Sequence, residues 1–268
     1  FLKGLMIYLS NLYQMTGLGF ILPQLNKVLI ASLFFLSSLI FSEAIVNVED
    51  LRRDGEKGFF ANISGSLSFS RGNRNRDSFS LQSSLDYNKE NLETFFVVKR
   101  SQKQINNNNY DSATLSHLRL NFLFDENPSL ELFMQYSKNP FRKFNKRELL
   151  GLGARFDVKE NLKAGVGLMN EKEEDLLVVT DNTLRITSYV HNEFVVEKNI
   201  VFDLSIFLQP GIDSFSDYKA TLIGQFDFHV NESFKISLQY NTFYDSRPPS
   251  NAVKKEEGFA TVFSYNFN

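Results

Sequence analysis

From Gly58 to the C-terminus, apolar and polar residues alternate with a period of two. Phe234, Ile236, Leu238, Tyr240, Thr242 and Tyr244 fall on one side of an extended chain; Lys235, Ser237, Gln239 and Asn241 fall on the other. A strand sends successive side chains to opposite faces, so the pattern predicts sheet with one apolar and one polar surface. Ile200 to Leu208, Ala220 to Phe228 and Phe259 to Phe267 repeat it, and no segment after Ala44 carries a persuasive helical period.

Short polar turns punctuate the alternation at Lys89-Glu90-Asn91, Asp125-Glu126-Asn127-Pro128, Lys159-Glu160-Asn161, Glu197-Lys198-Asn199 and Asn231-Glu232-Ser233, in steps of 36, 34, 38 and 34 residues. Each step holds two strands and one longer connection. The longer connections are expected at Arg71 to Asp77, Ile105 to Ser112, Asn139 to Arg147, Glu171 to Asn182, Gly211 to Tyr218 and Ser246 to Glu256. Six long connections and five short turns predict twelve strands, with ten or fourteen as alternatives. Tight turns at one end and longer loops at the other are the signature of an all-β, transmembrane, antiparallel up-and-down barrel.

A soluble barrel or sandwich also alternates but fills its interior with apolar side chains. Here the polar face carries Ser64, Ser66, Ser68, Gln82, Ser84, Asp86, Lys99, Arg119, Asn121, Arg155 and Asp157, which suits a hydrated lumen. Aromatics recur near expected strand ends, at Phe59, Tyr87, Phe124, Tyr136, Phe156, Tyr189, Tyr240 and Tyr244, as interfacial girdles require. Closure follows from physics, since backbone groups left unpaired in hydrocarbon cost several kcal/mol each. The mean hydropathy of −0.22 fits, because only alternate residues need face lipid.

The first 44 residues follow another rule. Val28 to Phe41 is an almost uninterrupted apolar run behind Lys27 and ahead of the small-x-small sequence Ser42-Glu43-Ala44. It is shorter than the ~20 residues of a spanning helix and matches the apolar region of a secretory signal. Residues 1–44 are therefore expected to be a signal-peptide region cleaved after Ala44, with an uncleaved anchor as the alternative. The stretch before Leu25 fits neither and is read as a possible upstream artefact. Residues 45–57 form a periplasmic lead-in, and 58–268 form the barrel.

Composition narrows the chemistry. Net charge is −2, from 29 basic and 31 acidic residues, so there is no global field for nucleic acid. Zero Cys excludes disulfides and thiolate sites.

The last hairpin holds Tyr244-Asp245-Ser246-Arg247-Pro248-Pro249, then Lys254 or Lys255, then Phe263-Ser264-Tyr265-Asn266-Phe267. These residues resemble the end of a bacterial outer-membrane family labelled salt-induced outer membrane protein. Gly72-Asn73 after the serine-rich first strand resembles that family's first hairpin, and the strand layout is similar over 55–268. Where the family carries an acidic residue after the lysine, Glu256 or Glu257 stands in; the absent Trp and the trailing Asn268 are departures. The resemblance implies a Gram-negative outer-membrane barrel and no established activity.

Candidate chemistry is sparse. Lys99, Arg119 and Arg155, with Asp86, Asp157, Asp203, Asp227 and Glu193, are expected to point into the lumen, as a charged constriction or as ion pairs across a narrow interior. His117, His191 and His229 share that face, which disfavours a lipid-facing catalytic serine–histidine pair. A metal site from His191, Glu193 and His229 is weaker than hydrated lumen histidines. Gly151, Gly153, Gly165 and Gly167 lack the helix a phosphate cradle needs and read as strand-bending or space-making residues. Asn106 to Asn109 reads as a solvated loop tip. The basic segment Arg142, Lys143, Lys146 and Arg147 is a candidate contact for lipopolysaccharide phosphates. Glu171, Glu173, Glu174 and Asp175 are expected in an outer loop able to hold divalent cations weakly.

The function expected is an integral outer-membrane barrel of structural or narrow passive-channel type, not an enzyme. A lipid-acting enzyme and a soluble periplasmic ligand-binding barrel are the alternatives. Its expected partners are outer-membrane lipid, lipopolysaccharide and the barrel-assembly machinery, with no cofactor, no metal, no nucleic acid and a monomeric state.

Overall fold

A computed structural model describes residues 56–70, 76–105, 108–124, 127–249 and 252–267. The expected signal-peptide region, most of the expected lead-in, Gly72-Asn73 and Asn106-Asn107 lie outside the described residues. Twelve strands follow one another: β1 Gly58–Ser70, β2 Arg76–Lys89, β3 Leu92–Ile105, β4 Asn108–Phe122, β5 Ser129–Asn139, β6 Phe144–Lys159, β7 Leu162–Asp175, β8 Thr180–Glu197, β9 Ile200–Pro210, β10 Tyr218–His229, β11 Phe234–Asp245 and β12 Lys255–Phe267.

Each strand pairs antiparallel with its sequence neighbours, and β12 returns to β1 to close the barrel. The seam runs from Ala61 opposite Phe267 to Ser66 opposite Val262, and Asn62 donates to Asn266 Oδ1 at 2.6 Å across it. Closure leaves no open sheet edge, the condition a spanning sheet must meet. Outward positions are apolar and exposed, among them Ile63, Leu67, Leu81, Leu85, Met134, Leu150, Leu152, Leu168 and Leu208.

Three connections are shorter than the sequence suggested. Between β3 and β4 the ladder runs to Ile105 opposite Asn108, so Asn108 and Asn109 of the expected loop tip are strand. Between β5 and β6 only four residues leave the ladder: Pro140–Arg142 form a 3-10 turn whose first free amide, that of Arg142, donates to the Asn139 side chain at 3.3 Å, and Lys143 takes a left-handed conformation. Pro140 supplies the fixed φ that starts such a turn. Between β7 and β8 the ladder runs to Glu174 opposite Thr180. There Asp175 Oδ1 accepts from the amides of Leu177 and Val179, at 2.8 and 2.9 Å, and closes a tight tip. The supposed acidic loop is thus the end of β7. Its alternation continues, with Glu171 and Glu173 inward and Lys172 and Glu174 outward.

Candidate functional site: the barrel interior

The interior is packed. Every strand contributes buried inward side chains, including Ser64, Ser84, Ser101, Asn121, Gln135, Ser205, Gln225, Ser237 and Thr221. Even Arg147 and Arg155 are only 1% and 2% exposed. Charges so placed are tolerable only when paired and hydrogen-bonded, because removing an ion from water costs several kcal/mol. The pairs fall into tiers.

In the middle tier, Arg119 on β4 reaches Glu131 on β5 with both carboxylate oxygens at 3.4 Å. Tyr189, three strands further round on β8, donates its hydroxyl to the same carboxylate at 3.0 Å. The guanidinium lies over the rings of Phe133 and Tyr189, 5.3 and 5.9 Å from their centroids, and His117 stacks on Phe133. These rings lie flat against the wall because the wall there is glycine. A Cβ on Gly151 would overlap the Phe133 ring, and one on Gly165 the Tyr189 ring. Gly153 and Gly167 face each other in register, and their backbones approach too closely for side chains. The space-making reading of the four glycines thus takes two specific forms: Gly151 and Gly165 seat two inward aromatics, and Gly153 and Gly167 let β6 and β7 approach closely. Beside them a cavity of about 30 Å³ is lined by His117, Arg119, Gln135 and Tyr189, enough for isolated waters.

Toward the loop end, Glu171 is a hub. Its Oε1 takes Arg147 Nε at 2.5 Å and Lys219 Nζ at 2.7 Å, and Oε2 takes Arg185 Nε. Lys219 stands on β10, three strands from β7, so this contact cuts across the lumen. Glu173, Asp217 and Asp245 complete the network, at 3.1 Å from Lys219, 3.0 Å from Arg185 and 3.4 Å from Lys219.

Above the hub, the β5–β6 turn leans into the barrel. Arg142 lies 3.4 Å from the Phe243 ring centroid on β11 and 3.4 Å from Glu256 on β12, on the wall opposite its own strands. Burial pushes the Arg142 guanidinium down to about 10 while Glu256 pulls it back up, so it stays charged at neutral pH. Lys103 on β3 sits 4.2 Å over the neighbouring Phe141 ring.

At the short-turn end, Asp227 accepts from Lys235 at 2.5 Å and from Gln225 at 2.8 Å, and Asp157 bridges Arg155 and Lys163 at 2.9 and 3.0 Å. Asn121 donates to Glu93 at 3.0 Å. Of the expected lumen charges, Asp86, Arg119, Arg155, Asp203 and Asp227 are buried inside and Lys99 is half-buried. Asp157 and Glu193 are exposed at the mouth.

Several expectations need correcting. Tyr189 belongs to the middle of the lumen, not to a girdle. Arg142 and Arg147 are buried inside the barrel, so only Lys143 and Lys146 of the proposed lipopolysaccharide segment remain for an external role. Arg142 left the loop surface because the opposite wall offers a ring and a carboxylate. Glu171 is occupied by three cations and has no oxygen to spare for a divalent ion. His191 is buried against Ser205, Nδ1 to Oγ 2.8 Å, with Asp203 3.9 Å from Nε2, while His229 is exposed at the mouth. Among the described residues no three metal-binding side chains converge. The His191–Ser205 pair faces the packed interior with Ser205 fully buried, so it offers no surface to a lipid ester.

Glu131, Arg185, Asp217 and Lys219 carry much of the interior and were not singled out from the sequence, while Glu171 and Asp245 were singled out for other roles. Parity was a sufficient signal for most: Glu131 stands between Leu130 and Leu132, and Arg185 between Leu184 and Ile186. The terminal hairpin motif has a structural role. Asp245 holds Lys219 and accepts from the Arg247 amide at 2.9 Å, Ser246 Oγ accepts from the Tyr218 amide at 2.8 Å, Tyr244 stacks on Tyr218, and Pro248-Pro249 carry the chain across the loop.

The fold is that of outer-membrane β-barrels. An outer-membrane channel from Pseudomonas putida F1 superposes with a TM-score of 0.50 at 9% identity, over 84% of this chain and all of that one, 100%. The translocator domain of the autotransporter NalP from Neisseria meningitidis is similar at 0.49 and 9% identity, covering 82% and 92%. The NanC porin is similar at 0.48 and 9%, covering 77% and 98%. No curated protein matches the chain. Residues 63–267 match the family described as "Protein of unknown function, DUF481", and the chain belongs to that family.

Proposed function

We propose that this protein is an integral outer-membrane barrel with an occluded lumen, of structural or narrow passive-channel type. The observation that carries the reading is the interior itself: inward side chains are buried, and ion pairs reach across the lumen from Lys219 to Glu171 and from Arg142 to Glu256. The apolar, exposed exterior supports placement in hydrocarbon. Export by the N-terminal signal, insertion by the barrel-assembly machinery and a monomeric state complete the proposal. Within its family, the Tyr244 to Pro249 motif supports the salt-induced outer membrane protein group.

The test is reconstitution of the full chain into planar bilayers, with insertion checked by protease protection. The expected result is insertion with no porin-sized current steps. Reproducible large, ion-selective steps from the unaltered protein would overturn the occluded reading, and release from cells by osmotic shock without detergent would overturn the membrane placement.

A further inference from the structure

The outer wall is not uniform near the loop end. On β3 to β7 the outward positions there carry Arg100, Lys138, Lys146 and Lys172. Register places them side by side. Arg100 faces Thr114, which faces Lys138 on its other side; Lys146 faces Glu174 and Lys172 faces Glu148 across the β6–β7 ladder. Lys146 pairs with Glu148 at 2.8 Å and Asn145 donates to Glu174 at 2.8 Å. Among the described residues, Arg100, Lys138 and Lys172 have no carboxylate at ion-pair distance, so the four cations exceed the two carboxylates among them. Toward the loop end of β8 to β11 the outward positions include Asn182, which faces Lys172, then Leu184, Leu208, Tyr218 and Tyr244, and the Lys255 of β12 is paired with Glu257 at 3.0 Å.

The height of the strip is informative. On β5 the outward residues rise from Leu130 through Leu132, Met134 and Tyr136 to Lys138. Eight residues at ~3.3 Å each, tilted by about 40°, rise roughly 20 Å, close to the ~25 Å apolar band of such barrels. The cations therefore stand where hydrocarbon gives way to headgroups, on the outer-leaflet side if the longer loops face out. Tyr136 stands one step below them, as an interfacial aromatic does.

We propose that this wall is a docking strip for phosphorylated lipid of the outer leaflet: Arg100, Lys138, Lys146 and Lys172 hold the phosphates of lipid A, while its acyl chains lie on the exposed Met134 and Leu150. The proposal rests on the outer-membrane placement above. It assigns lipid contact to the wall and leaves the β5–β6 turn, with its buried Arg142, out of it.

The experiment uses the full chain in phosphatidylcholine vesicles doped with bisphosphorylated or dephosphorylated lipid A, with insertion scored by protease protection and bound lipid A counted by native mass spectrometry. The unaltered protein is expected to retain bisphosphorylated lipid A in preference to the dephosphorylated form, less so at high salt. Joint replacement of Arg100, Lys138, Lys146 and Lys172 by Gln is expected to lower that affinity by more than about tenfold. Lys255→Gln on the opposite wall is expected to leave it unchanged, and inorganic phosphate at millimolar concentration is expected not to compete. Equal retention of both lipid A forms by the unaltered protein overturns the proposal without any variant. So does unchanged binding by the fourfold variant, and so does full competition by inorganic phosphate. Failure of the unaltered chain to insert overturns the membrane placement and the strip with it; insertion without lipid A preference overturns the strip alone.

Discussion

Glu171→Gln keeps the side-chain shape and removes one charge from the centre of the loop-end network. In the folded barrel that carboxylate receives Arg147, Arg185 and Lys219, all buried. The amide accepts through one oxygen only and presents an N–H₂ to a cation where an oxygen had been. Removing one partner of a buried ion pair leaves an uncompensated charge and costs about 3–5 kcal/mol. Glu173, Asp217 and Asp245 temper the loss, which places it at the lower end of that span. The matched control is Glu148→Gln: its pair with Lys146 is about 2.8 Å long like those of the hub but is 41% and 43% exposed, and such pairs contribute about 0–1 kcal/mol. Both variants are compared by urea unfolding in lipid vesicles, reading the folded fraction from the faster gel mobility of the unheated barrel. Glu171→Gln is expected to unfold at clearly lower urea, and Glu148→Gln to overlay the unaltered protein. Adding Lys219→Met to Glu171→Gln removes one of the stranded cations and is expected to recover part of the loss, a coupling of about 0.5–3 kcal/mol. A Glu171→Gln curve that overlays Glu148→Gln would refute the hub as a source of stability.

Other perturbations read other parts of the interior. Gly165→Ala places a methyl in the Tyr189 ring and Gly151→Ala one in the Phe133 ring; each is expected to lower stability by about 1–3 kcal/mol in the same assay, and Gly65→Ala, where the nearest atom is 3.7 Å away, much less. Tyr189→Phe deletes the hydroxyl donated to Glu131 and is expected to cost about 1.5–3 kcal/mol, the range for a hydrogen bond to a charged group. Arg142→Ala frees the β5–β6 turn from Phe243 and Glu256; limited trypsin cleavage after Lys143 in inserted barrels is expected to quicken, and an unchanged rate would show that the turn is held by its backbone alone.

Much of the barrel was legible because period-two alternation is imposed twice, by lipid outside and by polar packing within. Twelve strands, the five short turns and the inward parity of Asp86, Arg119, Arg155, Asp203 and Asp227 follow from it. The loops were harder to read. Alternation weakens where a strand leaves the hydrocarbon, because both faces are then polar, and Glu171 to Asp175 reads as loop although it is paired strand. The four glycines announced space, but not that rings would fill it at Gly151 and Gly165 and backbone at Gly153 and Gly167.

Local sequence thus determined the elements, their order and the face on which each side chain lies, since these depend only on backbone geometry and on the solvent at each face. Only the tertiary structure decided which inward residues meet. Lys219 finds Glu171 across three strands, and Arg142 crosses to Phe243 and Glu256 on the opposite wall. Those contacts join residues 48 and about a hundred positions apart; closure of the sheet sets their distance, and no periodicity along the chain encodes it.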